Sequence, residues 1–211
     1  MMLTDNRTPT WFFYPGWVAA GAISIPIAWY VTWAIISQIV SIVGGSIVVE
    51  GESRITEDLI GVYVLVPALG LVMGVLQYFL LGRYLPRMGW WIGATVLGWV
   101  LPMALLRLAT FGSIPGLGID PMWRGAVGFG ILGASLGLCQ WLVLRRRIPR
   151  AAWWILAGVV GWGMAGVFSG ESISSQLDVI AVALLPPTAA SIAWWSLLEK
   201  LPARSLRSTN S

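Results

Sequence analysis

The chain has 211 residues, of which 57% are hydrophobic and 10% charged, and its mean hydropathy is +0.80. This much apolar surface exceeds what one water-soluble core can bury, so the composition indicates an integral membrane protein. The chain contains no histidine, which excludes imidazole-ligated haem, zinc and chlorophyll. We therefore predict no metal site and no resident cofactor, while a bound lipid or pigment stays compatible with the composition.

Six apolar segments follow one another along the chain, near 16–43, 58–84, 88–110, 124–146, 151–169 and 178–198. Each is close to the roughly 20 residues that a helix needs to cross the hydrocarbon of a bilayer. Apolar residues run continuously through the segments, without the alternation of a membrane β-barrel strand. The sequence predicts an all-α integral membrane protein, one transmembrane domain over residues 1–211 with six transmembrane helices.

The basic residues are distributed unevenly between the two sides of such a bundle. If both termini are cytoplasmic, ten Lys and Arg residues lie inside and three lie outside. The positive-inside rule favours this orientation. The net charge of +4 is explained by this bias, so we do not interpret it as nucleic-acid binding.

Residues 70–99 and 133–162 are two copies of one pattern at a constant shift of 63 positions, and 14 of the 30 aligned residues are identical. Each copy is an apolar run, a basic turn and a second apolar run, which predicts a helical hairpin. Because the shift spans two helices, the copies have the same polarity and form a parallel repeat. A fainter similarity between the segments around Trp194 and Tyr78 suggests that the sixth and first helices form a third hairpin.

Each copy carries two glycines and a glutamine at positions i, i+4 and i+7 of one helix face. Glycines at this spacing let helices approach closely, and an amide on the same stripe can hydrogen-bond across the contact. An unpaired amide in hydrocarbon is costly, so we expect each glutamine to bond the other glutamine or a carbonyl. We favour helix packing over solute binding for Gly70, Gly74, Gln77, Gly133, Gly137 and Gln140.

Most of the 14 tryptophans fall near the cytoplasmic interface of the predicted bundle, where indole rings anchor helices. Two others, Trp99 and Trp162, each lie about nine residues from the inner end of a predicted helix. At a rise of 1.5 Å per residue, this places them near mid-bilayer. They fill the bundle core or form the wall of a pocket for a lipid tail or a polyene, and we favour core filling. The interfacial set comprises Trp11, Trp17, Trp90, Trp91, Trp153, Trp154, Trp194 and Trp195.

Four arginines, Arg145, Arg146, Arg147 and Arg150, crowd the second cytoplasmic turn. They set the topology, and we expect them to contact anionic lipid headgroups as well. On the opposite side, the loops 44–57 and 111–123 are rich in glycine and proline. They are either connectors or surfaces that recognise an external molecule.

The run G-x3-G-x2-Q-(aromatic)-x2-L, followed by a basic turn and Trp-Trp, resembles a group of uncharacterised multi-pass bacterial membrane proteins. The resemblance covers about 60 residues as two copies of 30. The first copy departs from the second, with Tyr78 and Gly82 in place of Trp141 and Arg145. The resemblance implies a bacterial inner (cytoplasmic) membrane location and carries no activity, cofactor or catalytic residue.

The abundance of packing features and the scarcity of reactive groups favour a non-enzymatic membrane protein. We interpret it first as a scaffold or accessory subunit that contacts membrane lipids and other subunits or copies of itself. The alternative is a small carrier, channel or lipophilic-ligand-binding protein with a site between the repeated hairpins. An enzyme that acts on lipids through the outer acids Asp120 and Glu171 is the third interpretation.

Overall fold

The computed structural model describes residues 12–49, 52–85, 88–110, 121–148, 150–169 and 176–198. The third interpretation above, on Asp120 and Glu171, falls outside these residues, as do Trp11 and positions 111–120 of the second outer loop. The described chain forms six α-helices and one short β-hairpin. The elements are α1 (Phe13–Val43), β1 (Ser46–Val49), β2 (Glu52–Ile55), α2 (Thr56–Leu81), α3 (Trp90–Thr110), α4 (Pro121–Leu144), α5 (Trp153–Ser169) and α6 (Gln176–Leu198).

Each predicted apolar segment corresponds to one helix. Four helices contain stretches that are long and apolar enough to cross a membrane: Phe13–Val43, Tyr63–Leu81, Trp123–Leu144 and Leu177–Leu197. The apolar stretches of α3 and α5, Trp90–Ala104 and Trp153–Ser169, are shorter. The described structure is therefore helical, as the sequence predicts, and four of its six helices are long and apolar enough to cross a membrane.

The helices form a closed ring. The main helix–helix contacts join each helix to its neighbour in the chain, and α6 returns to contact α1. Connections of eight residues, 82–89 and 145–152, join α2 to α3 and α4 to α5 at the same end of the ring, where α6 ends and α1 begins. Short connections of this kind produce antiparallel neighbours.

Part of the loop 44–57 is a β-hairpin that the sequence did not predict. Its strands pair antiparallel, with Ser46 opposite Ile55. Gly44 ends α1 with φ 97°, a conformation that favours glycine. The buried Thr56 then fastens the hairpin to the start of α2, because its hydroxyl donates to the Gly44 carbonyl at 2.8 Å.

Two buried clusters fill the ring. One lies at the end that holds the short turns and contains Trp17, Trp91, Trp154 and Trp194. The other surrounds Trp99 and Trp162 further along the helices. Many large apolar side chains, such as Leu101 and Ile131, remain exposed on the outside, as expected for a bundle whose solvent is lipid.

Candidate functional site

A chain of buried hydrogen bonds joins the two repeated hairpins. Gln77 on α2 and Gln140 on α4 are 5% and 3% exposed. The indole Nε1 of Trp91 donates to Gln77 Oε1 at 3.0 Å, and the indole Nε1 of Trp154 donates to Gln140 Oε1 at 2.7 Å. Since an indole can only donate, each bond also assigns the amide oxygen of its glutamine.

The two glutamines are themselves linked. The Gln140 amide nitrogen donates to Gln77 Oε1 at 3.4 Å and to the Thr95 hydroxyl at 3.0 Å. Thr95 in turn donates to the carbonyl of Trp91 at 2.9 Å. The amide carbonyls and the two indoles are thus engaged with one another rather than presented to a solute.

The tryptophan pairs at the helix starts are divided between inside and outside. Trp90 and Trp153 are 81% and 60% exposed, whereas their neighbours Trp91 and Trp154 are 0% and 3% exposed. The interfacial interpretation was therefore wrong for the buried members Trp17, Trp91, Trp154 and Trp194. A neighbour at i+1 points about 100° away on a helix, so one of each pair faces inward. The 14-residue spacing from glutamine to tryptophan in both copies was the signal that sequence reasoning missed.

Three of the buried indoles form a triangle at the centre of the ring. The ring centroids of Trp17, Trp91 and Trp154 lie 5.7 to 6.0 Å apart, each pair in an edge-to-face arrangement. These residues lie in the first two turns of α1, α3 and α5, the three helices that run in the same direction. Edge-to-face packing of this kind stabilises aromatic clusters.

The glycine stripes lie inside the hairpins. A Cβ on Gly70 would come within 2.8 Å of the Val96 Cα, and one on Gly74 within 3.1 Å of the Ile92 Cα, both on α3. Against α5, a Cβ on Gly137 would lie 2.8 Å from the Ile155 Cα, and one on Gly133 would overlap the Gly158 carbonyl. The stripes therefore bring the two helices of each hairpin together and do not face outward.

Trp99 and Trp162 meet in the second cluster with ring centroids 5.1 Å apart and planes at 88°. They are 6% and 3% exposed. A small interior cavity of about 40 Å³ lies between the two clusters, lined by Trp17, Gln77, Gln140 and Trp162 among others. It is too small for a lipid tail or a polyene, so at these residues the core is packed.

The arginines of the second turn differ in their surroundings. Arg145 lies over the Trp141 ring, with 5.1 Å between the guanidinium carbon and the ring centroid, a cation–π geometry. Arg146 and Arg147 are exposed. Arg150 is also exposed and has φ 63°, the one non-glycine residue in the described chain with positive φ.

Arg150 borders a groove of about 520 Å³ between α5 and α6. The walls are apolar and include Leu156, Val160 and Ile192. At the end where α5 begins and α6 ends, the lining includes Arg150 and Ser196. The groove was not predicted, because its walls are about 35 residues apart in sequence.

The described residues contain no group of three or more Cys, Asp and Glu side chains that could hold a metal ion. The chain matches no protein-family model, no curated protein and no solved structure.

Proposed function

We propose that this chain is a non-enzymatic, multi-pass membrane protein that binds an anionic amphiphile, such as a phospholipid, in the groove between α5 and α6. In this proposal all six helices cross the inner membrane of a bacterium, with both termini in the cytoplasm and the two repeated hairpins parallel. The observation that carries the proposal is an apolar groove with Arg150 at the end where α5 begins.

The crossing of all six helices is supported by the closed ring, in which α3 and α5 contact the longer helices on both sides. The 17 residues of α5 rise about 26 Å at 1.5 Å per residue. A shorter helix of this kind is accommodated by local thinning of the bilayer. The charge bias along the sequence supports the orientation.

The groove has the properties of a site for an amphiphile. Its volume of about 520 Å³ lies in the range of roughly 300–1,000 Å³ that is common for ligand sites. An acyl chain fits against Leu156, Val160 and Ile192, while Arg150 faces the anionic headgroup. Arg145, Arg146 and Arg147 on the preceding turn raise the positive potential around the same end.

The alternative location between the hairpins is disfavoured by the hydrogen bonds there. Gln77 and Gln140 bond each other and two indoles, and the neighbouring cavity is only about 40 Å³. A solute that used these amides would first have to break bonds within the bundle. The groove requires no such rearrangement.

The test compares Arg150→Asn with Arg146→Asn by native mass spectrometry during titration with phosphatidylglycerol in detergent. Asparagine tolerates the left-handed backbone at position 150, so the variant keeps the turn. Arg150 lines the groove and can bond the bound headgroup directly, and a hydrogen bond to a charged group contributes about 1.5–3 kcal/mol, so we expect Arg150→Asn to weaken binding at least about tenfold. Arg146 does not line the groove and contributes only the general attraction of a basic residue near the surface, about 1 kcal/mol or less, so its variant should weaken binding by no more than about fivefold. Equal effects of the two variants would remove the proposal.

A scaffold or accessory subunit is the second candidate, and one observation favours it. The outer face of α1 carries Trp29, Tyr30 and Trp33 at 50%, 75% and 42% exposure, and the two indoles are 5.9 Å apart. Since the glycine stripes are used inside the hairpins, this aromatic face is the better surface for another membrane helix.

Affinity purification of the chain from its own membranes tests this candidate. A stoichiometric partner that is lost with Trp29→Leu plus Trp33→Leu, and retained with the neighbouring Ile35→Leu, would establish the subunit function. If the unmodified chain and the Ile35→Leu control both purify without a partner, the subunit function is eliminated.

A further inference from the structure

Trp17 is the member of the central triangle whose polar group has no partner among the described residues. Its side chain is 0% exposed, and within that part of the chain its buried Nε1 has no hydrogen-bond acceptor. The equivalent groups of Trp91 and Trp154 donate to glutamine oxygens at 3.0 and 2.7 Å. Buried donors are normally satisfied by protein or by ordered water, so Trp17 requires an explanation.

The difference between the three indoles arises from α6. Around the interior cavity, α2 and α4 contribute Gln77 and Gln140, while α6 contributes Pro186, Pro187 and Ala190. None of these three α6 residues has a side-chain acceptor. The α6–α1 pair therefore has the tryptophan of the Gln–Trp arrangement and lacks its glutamine.

The cavity beside Trp17 has mostly apolar walls, but it also has the amide side chains of Gln77 and Gln140 in its lining and is large enough for water. Its volume is about 40 Å³, whereas one water molecule needs at least ~10–15 Å³. Gln140 lines the same space, and its Oε1 accepts a hydrogen bond from Trp154. A carbonyl oxygen has two lone pairs, so this oxygen can accept a second bond.

From this geometry we infer that the bundle contains a specific internal water site among Trp17, Gln77 and Gln140. The bound water accepts the hydrogen of Trp17 Nε1 and donates to Gln140 Oε1. It takes the place of the glutamine that α6 lacks and gives all three indoles of the triangle an acceptor. The inference is independent of the α5–α6 groove.

The test is a water-to-indole NMR cross-relaxation experiment on the full chain in lipid nanodiscs with ¹⁵N-labelled tryptophan. We expect a direct cross-peak between water and the Trp17 Nε1 hydrogen, which Trp17→Phe assigns by its disappearance. Trp91 serves as the internal control, because its acceptor Gln77 Oε1 already takes two hydrogen bonds within the protein, so its indole hydrogen should show a much weaker cross-peak. Absence of the Trp17 cross-peak while its indole signal is visible would overturn the inference.

A second variant adds a side-chain amide to the α6 wall of the cavity. Ala190→Gln places an acceptor on the α6 wall of the cavity, so the Trp17 cross-peak with water should fall at least fivefold while the Trp91 and Trp154 signals stay in place. Ala190→Ser is the matched control, because its small hydroxyl leaves room for water and the cross-peak should persist. A cross-peak that is unchanged in Ala190→Gln would place the water elsewhere and contradict the assignment.

Discussion

The hairpins α2–α3 and α4–α5 share a glutamine-to-indole bond but differ in how closely their helices approach. In the first hairpin, Thr95 fills the position that Gly158 occupies in the second. Gly158 lets the α5 backbone lie directly against Gly133, whereas Thr95 adds a hydroxyl that Gln140 uses as an acceptor. At this position the second hairpin has close backbone packing, whereas the first has a hydrogen bond to the other hairpin.

The largest effect should come from adding a methyl group to the tighter hairpin. In Gly133→Ala the new Cβ overlaps the Gly158 carbonyl and meets Trp162 Cβ at 2.9 Å. Overpacking of this kind costs typically 1–3 kcal/mol, and we expect the upper end because the neighbour is backbone. The measurement is the SDS mole fraction at the unfolding midpoint in mixed micelles.

Gly128→Ala is the control for that variant, because a Cβ at Gly128 meets nothing within 4 Å. Its stability should equal or slightly exceed that of the parent chain, since alanine has the higher helix propensity. Equal losses in both variants would mean that helix propensity, and not the contact with Gly158, determines the result.

Replacement of the glutamines should give the next largest effect and should be unequal. Gln140→Leu removes three hydrogen bonds and leaves the Trp154 indole without its acceptor. Gln77→Leu removes two and leaves Trp91 without one. A buried donor without a partner costs about 1–3 kcal/mol, so both variants should unfold at lower SDS fraction, with Gln140→Leu the lower.

The order of these two variants distinguishes a linked network from two independent Gln–Trp pairs. Independent pairs would make the losses equal within error. A Gln77→Leu chain that is less stable than the Gln140→Leu chain would contradict the assigned hydrogen bonds.

The smallest effect belongs to the hydroxyl that distinguishes the two hairpins. Thr95→Val keeps the shape of the side chain and removes the acceptor of Gln140 Nε2. Hydrogen bonds between membrane helices average about 0.6 kcal/mol, so the same SDS titration should show a loss of that order. A loss as large as that of Gln140→Leu would mean that Thr95, and not the glutamine pair, holds the hairpins together.

The fold was predictable where it depends on apolar length. The six segments matched six helices with ends within three residues, because a run of apolar residues determines where a membrane helix lies. The β-hairpin at 46–55 was missed, since strands of four residues are defined by their pairing and not by a pattern in either strand.

The site was less predictable, because it depends on which residues the ring brings together. That Gln77 and Gln140 need hydrogen-bond partners followed from their predicted burial alone. That the partners are the indoles of Trp91 and Trp154 depends on the geometry of the turn between the two helices of each hairpin. The groove at Arg150 requires α5 beside α6, which no local pattern encodes. The charge cluster pointed to the turn that borders the groove, and the structure distinguishes Arg150, which lines the groove, from its three neighbours.

Lipid binding in the groove can be tested with a photoactivatable phosphatidylglycerol, crosslinked to the chain in nanodiscs and mapped by peptide mass spectrometry. We expect adducts concentrated on the groove residues Trp153, Leu156 and Ile192, and reduced severalfold by Arg150→Asn. Exposed apolar residues on other faces, such as Leu71 and Ile131, should label weakly. Even labelling around the bundle, unchanged by Arg150→Asn, would contradict the claim that the α5–α6 groove is a lipid site.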